Sequence, residues 1–177
     1  IPDKYQEDMD DLINKNEKLY TQQKFSSEDC FKSLLILYKW IDAMTYQDMS
    51  EHFDAEPGDI FYIKENAKDL TYTFTEIVKF WRDHAKENDQ KKIVSEYQNL
   101  IDESDLLKLQ IIHGVPEKYL ELVKIKQIGR VRAQILYKNG YKNKTALKKA
   151  PLEKLAAIDK IGAILAKSIK SQVEKVR

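Results

Sequence analysis

The sequence predicts an all-α protein in two parts: a helical bundle over residues 1–114, followed by a small domain over residues 115–177 made of two internal repeats of one helical hairpin. Three observations carry this reading. Apolar residues recur at helical spacing through the first part, and a pattern of apolar and small residues returns at an offset of 33 in the second. The charge also changes sign between them. Residues 118–177 hold 16 basic and 4 acidic residues, a balance of +12, whereas residues 1–117 hold 14 and 25, a balance of −11, all hidden inside a net charge of +1. Asymmetry of this size points to an anionic partner for the basic part.

In the first part, residues 3–22 carry a sparse apolar stripe (Met9, Leu12, Ile13, Leu19, Tyr20), as suits an outer helix. Ser26 or Ser27 caps the next helix, whose run from Phe31 to Ile41 leaves almost no polar face and places it at the centre of the core. A short helix over 46–53 ends at a turn in which Pro57 disfavours helix before it and Asp59 caps the following start. From Ile60, the residues Ile63, Ala67, Leu70, Phe74, Ile77 and Trp81 recur in steps of 3 and 4, predicting a long helix buried along that stripe. Trp40 and Trp81 both fall in apolar phase and read as core anchors. A stripe of Tyr62, Asn66, Asp69 and Thr73 on the other side faces either bulk water or the wall of a channel. A last helix or helix pair covers 90–112, with Ile93, Tyr97, Leu100, Leu107 and Ile111 in phase and a break at Asp102-Glu103-Ser104-Asp105. Gly114 and Pro116 close the bundle where the charge changes sign.

Composition excludes several functions. No apolar run approaches the roughly 18 residues that span a bilayer, so the chain reads as a soluble intracellular protein without a membrane partner. Cys30 stands alone and His52, His84 and His113 lack ligand spacing, which argues against a metal site. Neither a G-x-x-x-x-G-K-[ST] loop nor a G-x-G-x-x-G turn occurs, so no cofactor is expected in these residues. The start at Ile1 suggests a piece of a longer chain. The acidic residues are scattered along helices rather than clustered near the basic surface, which argues against a metal nuclease.

In the second part the offset pairs Leu122 with Leu155, Ile125 with Ile158, Ile128 with Ile161, Gly129 with Gly162, Val131 with Ile164 and Ala133 with Ala166. Each copy looks like a helix-hairpin-helix, with a glycine turn and an Ala that lets the helices pack closely. Gly140 ends the second helix of the first copy, and Asn143 or Thr145 starts a connecting helix, giving five short helices. Backbone amides at such a turn and at the following helix start favour an anion. Lys124, Lys126, Gly129, Arg130 and Arg132 around the first turn, and Lys160, Gly162, Lys167 and Lys170 around the second, are therefore candidates to bind a sugar-phosphate backbone without reading sequence. Gln127 and Lys160 stand where the first glycine of the usual G-h-G turn belongs. Tyr137 and Tyr141, flanked by Lys138 and Lys142, either stack on a base or pack between the repeats.

The Trp40-Ile41 helix, the Glu56-Pro57-Gly58-Asp59-Ile60 helix start and the stretch from Gly114-Val115-Pro116-Glu117 to Gly129-Arg130-Val131-Arg132-Ala133 together resemble the C-terminal region of archaeal superfamily-two DNA repair helicases of the Hjm type. That resemblance spans nearly the full chain. It implies a ratchet helix over 59–81 lying across motor domains of the same polypeptide and touching single-stranded DNA, then a small domain that grips the emerging strand and restrains unwinding. Where relatives present an Arg and, seven residues on, a Trp, this chain has Tyr62 and Asp69; Tyr62 can stack on a base, whereas Asp69 repels phosphate. Gln134 replaces the last Arg of the Gly-Arg-Val-Arg-Ala-Arg run. The resemblance further implies single-stranded or branched DNA as partner, a monomer in the cytoplasm at the nucleoid, no ATPase in these residues, and ATP and magnesium bound by the parent protein. The competing reading is a protein-interaction or dimerisation module of a DNA repair complex.

Overall fold

The computed structural model describes residues 27–174, and all regular structure within them is helical. The helix expected over 3–22 lies outside the described residues, as does Ser26. The backbone divides into two compact units, Ile1–Ile112 and His113–Arg177.

In the first unit, α1 (Ser27–Ile41) buries Phe31, Leu35, Ile36 and Trp40. Leu34 and Tyr38 are exposed, so its core face is narrower than the nearly continuous apolar run suggests. The Oγ1 of Thr45 accepts from the Asp48 amide at 3.1 Å and starts α2 (Tyr46–Phe53), which ends at Asp54 in the left-handed region. Met49 and Phe53 from α2 close a core with Leu35, Ile36, Trp40, Ala55 and Ile60. Trp40 anchors it: its indole N–H donates to the Ile111 carbonyl at 2.7 Å, and its ring meets Tyr46 at 5.2 Å and the Lys64 ammonium at 4.6 Å.

The long helix α3 (Pro57–Glu87) begins three residues earlier than the sequence reading placed it. Glu56 is the N-cap, Pro57 opens the first turn, and Asp59 sits at the third helical position, where its carboxylate accepts from the Glu56 amide at 3.1 Å. It forms an antiparallel hairpin with α4 (Lys91–His113) through a turn at Asn88–Gln90, with Asp89 left-handed. Two cross-links set the register. Lys108 lies over the Tyr72 ring at 4.9 Å, and Arg82 donates to Gln98 at 2.9 Å.

This register overturns the expected burial. The residues of α3 that are buried beyond its first turn are Thr75, Val78 and Ala85, while Leu70, Phe74, Ile77 and Trp81 are about half exposed or more. The buried stripe is rotated by one residue, about 100°, from the apolar one. On α4, Ile101, Ser104 and Ile111 are buried, whereas Leu100 and Leu107 are exposed. Thr75, Ala85 and Ser104 thus take buried positions, while bulkier apolar residues of both helices stay exposed. Trp81 is therefore not a core anchor. Nor does the acidic cluster break α4, which runs through it from Lys91 to His113, with Ser104 buried and Asp102 accepting from Gln98 one turn earlier. The Thr75 hydroxyl tolerates burial by donating to the Thr71 carbonyl at 2.8 Å.

The second unit runs through a 3-10 turn (Glu117–Tyr119), α5 (Leu120–Val123), α6 (Arg130–Lys138), α7 (Lys144–Lys149), α8 (Leu152–Ala156) and α9 (Gly162–Glu174). The repeat pairs occupy matching places: Leu122 and Leu155, Ile128 and Ile161, and Ala133 and Ala166 are buried, and Val131 and Ile164 are exposed. Gly140, left-handed, ends α6, and the Asn143 side chain, rather than Thr145, caps α7 by accepting from Ala146 N at 2.8 Å. Lys170 donates to the Lys148 and Ala150 carbonyls at 2.6 and 2.9 Å, satisfying the C-terminal end of α7. Gln172 grips the peptide of Lys126, accepting from its amide at 2.8 Å and donating to its carbonyl at 3.4 Å. Thus α9 fixes both the first turn and the connecting helix.

Overfilling the buried Ser104 position should be more harmful than stripping the exposed stripe. Ser104→Leu is expected to destabilise the bundle by about 1–3 kcal/mol through overpacking, and Leu70→Gln to change stability by less than about 0.5 kcal/mol. Urea unfolding measures both; the reverse order would contradict this packing.

Candidate nucleic-acid interface

Each hairpin turn is built on a residue that pays a conformational cost. Gln127 and Lys160, at the positions of the missing first glycines, have φ of 71° and 60°. The left-handed conformation of the G-h-G turn is thus kept by side-chain-bearing residues at about 1–3 kcal/mol each. The second glycines differ. Gly162 is left-handed at φ 65°, whereas Gly129 is extended (φ −85°, ψ −178°) and serves as N-cap of α6, so the first turn does not need glycine there for its backbone geometry. A Cβ at Gly129 would meet nothing within 4 Å. What glycine leaves there is open space over the helix start.

That space borders unpaired donors. Among the described residues, the amides of Gly129, Val131 and Arg132, and of Gly162, Ala163 and Ile164, have no protein acceptor. All six residues are exposed. The Lys126 amide, by contrast, is taken by Gln172. A cleft of about 500 Å³ lined by Gly129, Arg130, Val131, Arg132 and Lys160 joins the two turns. Open amides at a helix start and cationic side chains around one cleft are suited to an anionic oxygen.

The residues singled out in the sequence divide among several places. Gly129, Arg130, Arg132 and Lys160 share this cleft. Lys167 lines a different one of about 460 Å³ with Leu152, Lys170, Ser171 and Glu174. Lys124 and Lys126 are exposed and line neither cleft, and Gly162 lies in the second turn. Lys170 is committed to the carbonyls at the end of α7. Tyr62 belongs to the first unit, on α3, and is 68% exposed. Asp69 is exposed on the same helix, seven residues on, beside Lys68. Tyr137 packs edge-on against Tyr119 at 5.1 Å with Lys142 over its ring, which favours the packing role over base stacking. Burial, reinforced by the charge of Lys124, holds the His113 imidazole below its ordinary pKa range. Among the described residues no group of three or more His, Cys, Asp or Glu is placed to hold a metal, and no helix is long and apolar enough to cross a membrane.

One arrangement was not foreseen. The Arg132 guanidinium, expected to clamp phosphate, donates from Nη1 to the Gln127 carbonyl and from Nε to the Lys160 carbonyl, both at 2.9 Å. The one available signal was that positions 127 and 160 are equivalent in the repeat.

Fold and site together define an all-α module whose second unit is a tandem of helix-hairpin-helix motifs with a cleft lined by Gly129, Arg130, Val131, Arg132 and Lys160. Comparison with known proteins agrees: residues 1–95 match the family described as archaeal helicase, domain 4, and residues 119–175 match the SAM-like helix-hairpin-helix tandem. The chain belongs to the archaeal helicase domain 4 family. Its relatives include the ATP-dependent DNA helicase Hel308 of Pyrococcus abyssi, 29% identical across 90% of this chain and 21% of the relative. The protein of the same name from Pyrococcus horikoshii is 30% identical over the same shares, and that from Caldivirga maquilingensis 28% identical across 96% of this chain and 20% of the relative. The chain thus spans about a fifth of the length of the curated relatives it matches.

The strained turn residue gives a direct check of the site's geometry. Gln127→Gly should stabilise the second unit by up to about 1 kcal/mol, because relief of left-handed strain outweighs the added chain entropy. Loss of more than about 1 kcal/mol in denaturant unfolding would mean that Gln127 does not hold this conformation.

Proposed function

We propose that the chain is the C-terminal, non-motor part of an ATP-dependent DNA helicase, in which the helix-hairpin-helix unit holds the sugar-phosphate backbone of single-stranded or forked DNA. The observation that carries this is the cleft between the two turns, where unpaired amides, Arg130 and Lys160 come together. Binding of this kind tolerates any sequence and weakens steeply with salt. Lys124, Lys126 and Lys167, outside the cleft, add to the surrounding positive field.

The first unit supplies a protein-facing surface. Leu70, Phe74, Ile77 and Trp81 form an outward apolar stripe on α3, which favours docking onto the motor domains of the same polypeptide, while Tyr62 offers a ring for a passing base. In this reading the module couples strand movement to the motor or restrains unwinding during repair of stalled forks. ATP and magnesium belong to the motor, and these residues turn over no nucleotide by themselves. The module works as a monomer in the cytoplasm, at the nucleoid. The apolar stripe also suits a second reading, a dimerisation or docking module of a repair complex.

Anisotropy titrations of labelled oligothymidylate at several salt concentrations separate the two. Binding should weaken linearly on a log–log salt plot, and Lys160→Ala should lower the slope by about one. A stable dimer in light scattering that ignores DNA at every salt concentration would instead support the docking module.

A further inference from the structure

We propose that Arg132 is a positioning residue: it locks the two hairpin turns into one groove and does not itself grip phosphate. The proposal rests on the DNA-binding reading above and deepens it. Its side chain reaches two carbonyls contributed by different hairpins, those of Gln127 and Lys160, at 2.9 Å each. Both belong to the left-handed residues of their turns, 33 positions apart. The same conformation that opens the following amides therefore turns a carbonyl toward a shared point, and a planar guanidinium there satisfies both with a rigid fork.

Two further features agree. Arg132 lines the cleft alongside Lys160, so the bonded turns are the walls of the groove. Carbonyl oxygens facing an anion site would repel phosphate, and a cation bound to both removes that repulsion. The repeat also breaks at this position, since the counterpart of Arg132 is Leu165, which is buried. One arginine serves both turns, and the second copy is free to use the position for packing.

The experiment uses the full chain and fluorescein-labelled oligothymidylate. Arg132→Lys keeps the charge but has no fork to span two carbonyls. It should bind as weakly as Arg132→Ala, about tenfold or more below the unsubstituted chain. In the Arg132→Lys background, Lys160→Ala should cost less than roughly a further twofold, because the second turn is already displaced. Arg132→Lys binding like the unsubstituted chain, or losses from the two substitutions that simply multiply, would overturn the proposal. If circular dichroism shows that the variants unfold, NMR of the unsubstituted chain decides. The Arg132 Nε–H should be protected from exchange in the free protein and keep its shift when oligothymidylate is added. Lack of protection, or movement on adding DNA, overturns the brace. If the unsubstituted chain shows no salt-dependent binding, the DNA reading fails, and protection of Nε–H in the free protein still tests the brace.

Discussion

A turn that leaves its amides open to an incoming anion has to direct its carbonyls somewhere else. In the basic unit Gln127 and Lys160 do this by taking left-handed backbone angles, and the two carbonyls converge on Arg132. The other arrangements around the cleft support that geometry. Gln172 on α9 holds the peptide of Lys126 just before the first turn, and Ile128 and Ile161 anchor the two turns in the core. Backbone strain, a cationic fork and buried repeat residues together fix the positions of the turn amides, so that in the proposed binding mode little ordering is needed.

The helical hairpin of the first unit follows a different logic. Thr75, Val78, Ala85 and Ser104 are buried in it, and an apolar stripe that includes Trp81 remains exposed. The outward face is then available to something beyond this unit, in keeping with a chain that covers about a fifth of its relatives' length.

How legible this was in the sequence depended on how local the cause is. The short helix over 46–53 is placed by the sequence with its observed bounds, and the paired hairpins follow from a repeat visible at one offset. The buried stripe of α3 was misassigned because periodicity reports that a face is apolar and not which neighbour claims it. The acidic cluster at 102–105 resembles a helix break in charge density alone, but Ser104 within it is buried and the helix continues through it. Within the site, the positions of the turns and most of the cleft lining were readable. The role of Arg132 was not, since its two acceptors are main-chain atoms brought together only by the tertiary fold. For the same reason Lys170 and Gln172 looked like surface residues, although both hold backbone groups.

The central claim is that the unpaired amides of the two turns receive phosphate. An amide-resolved NMR titration of the chain with oligothymidylate tests it most directly. The account predicts that Gly129, Val131, Gly162 and Ala163 show the largest amide proton shifts, downfield and diminishing as salt rises. If these four stay still while resonances around Lys167 and Ser171 move, phosphate is held elsewhere and the account is wrong.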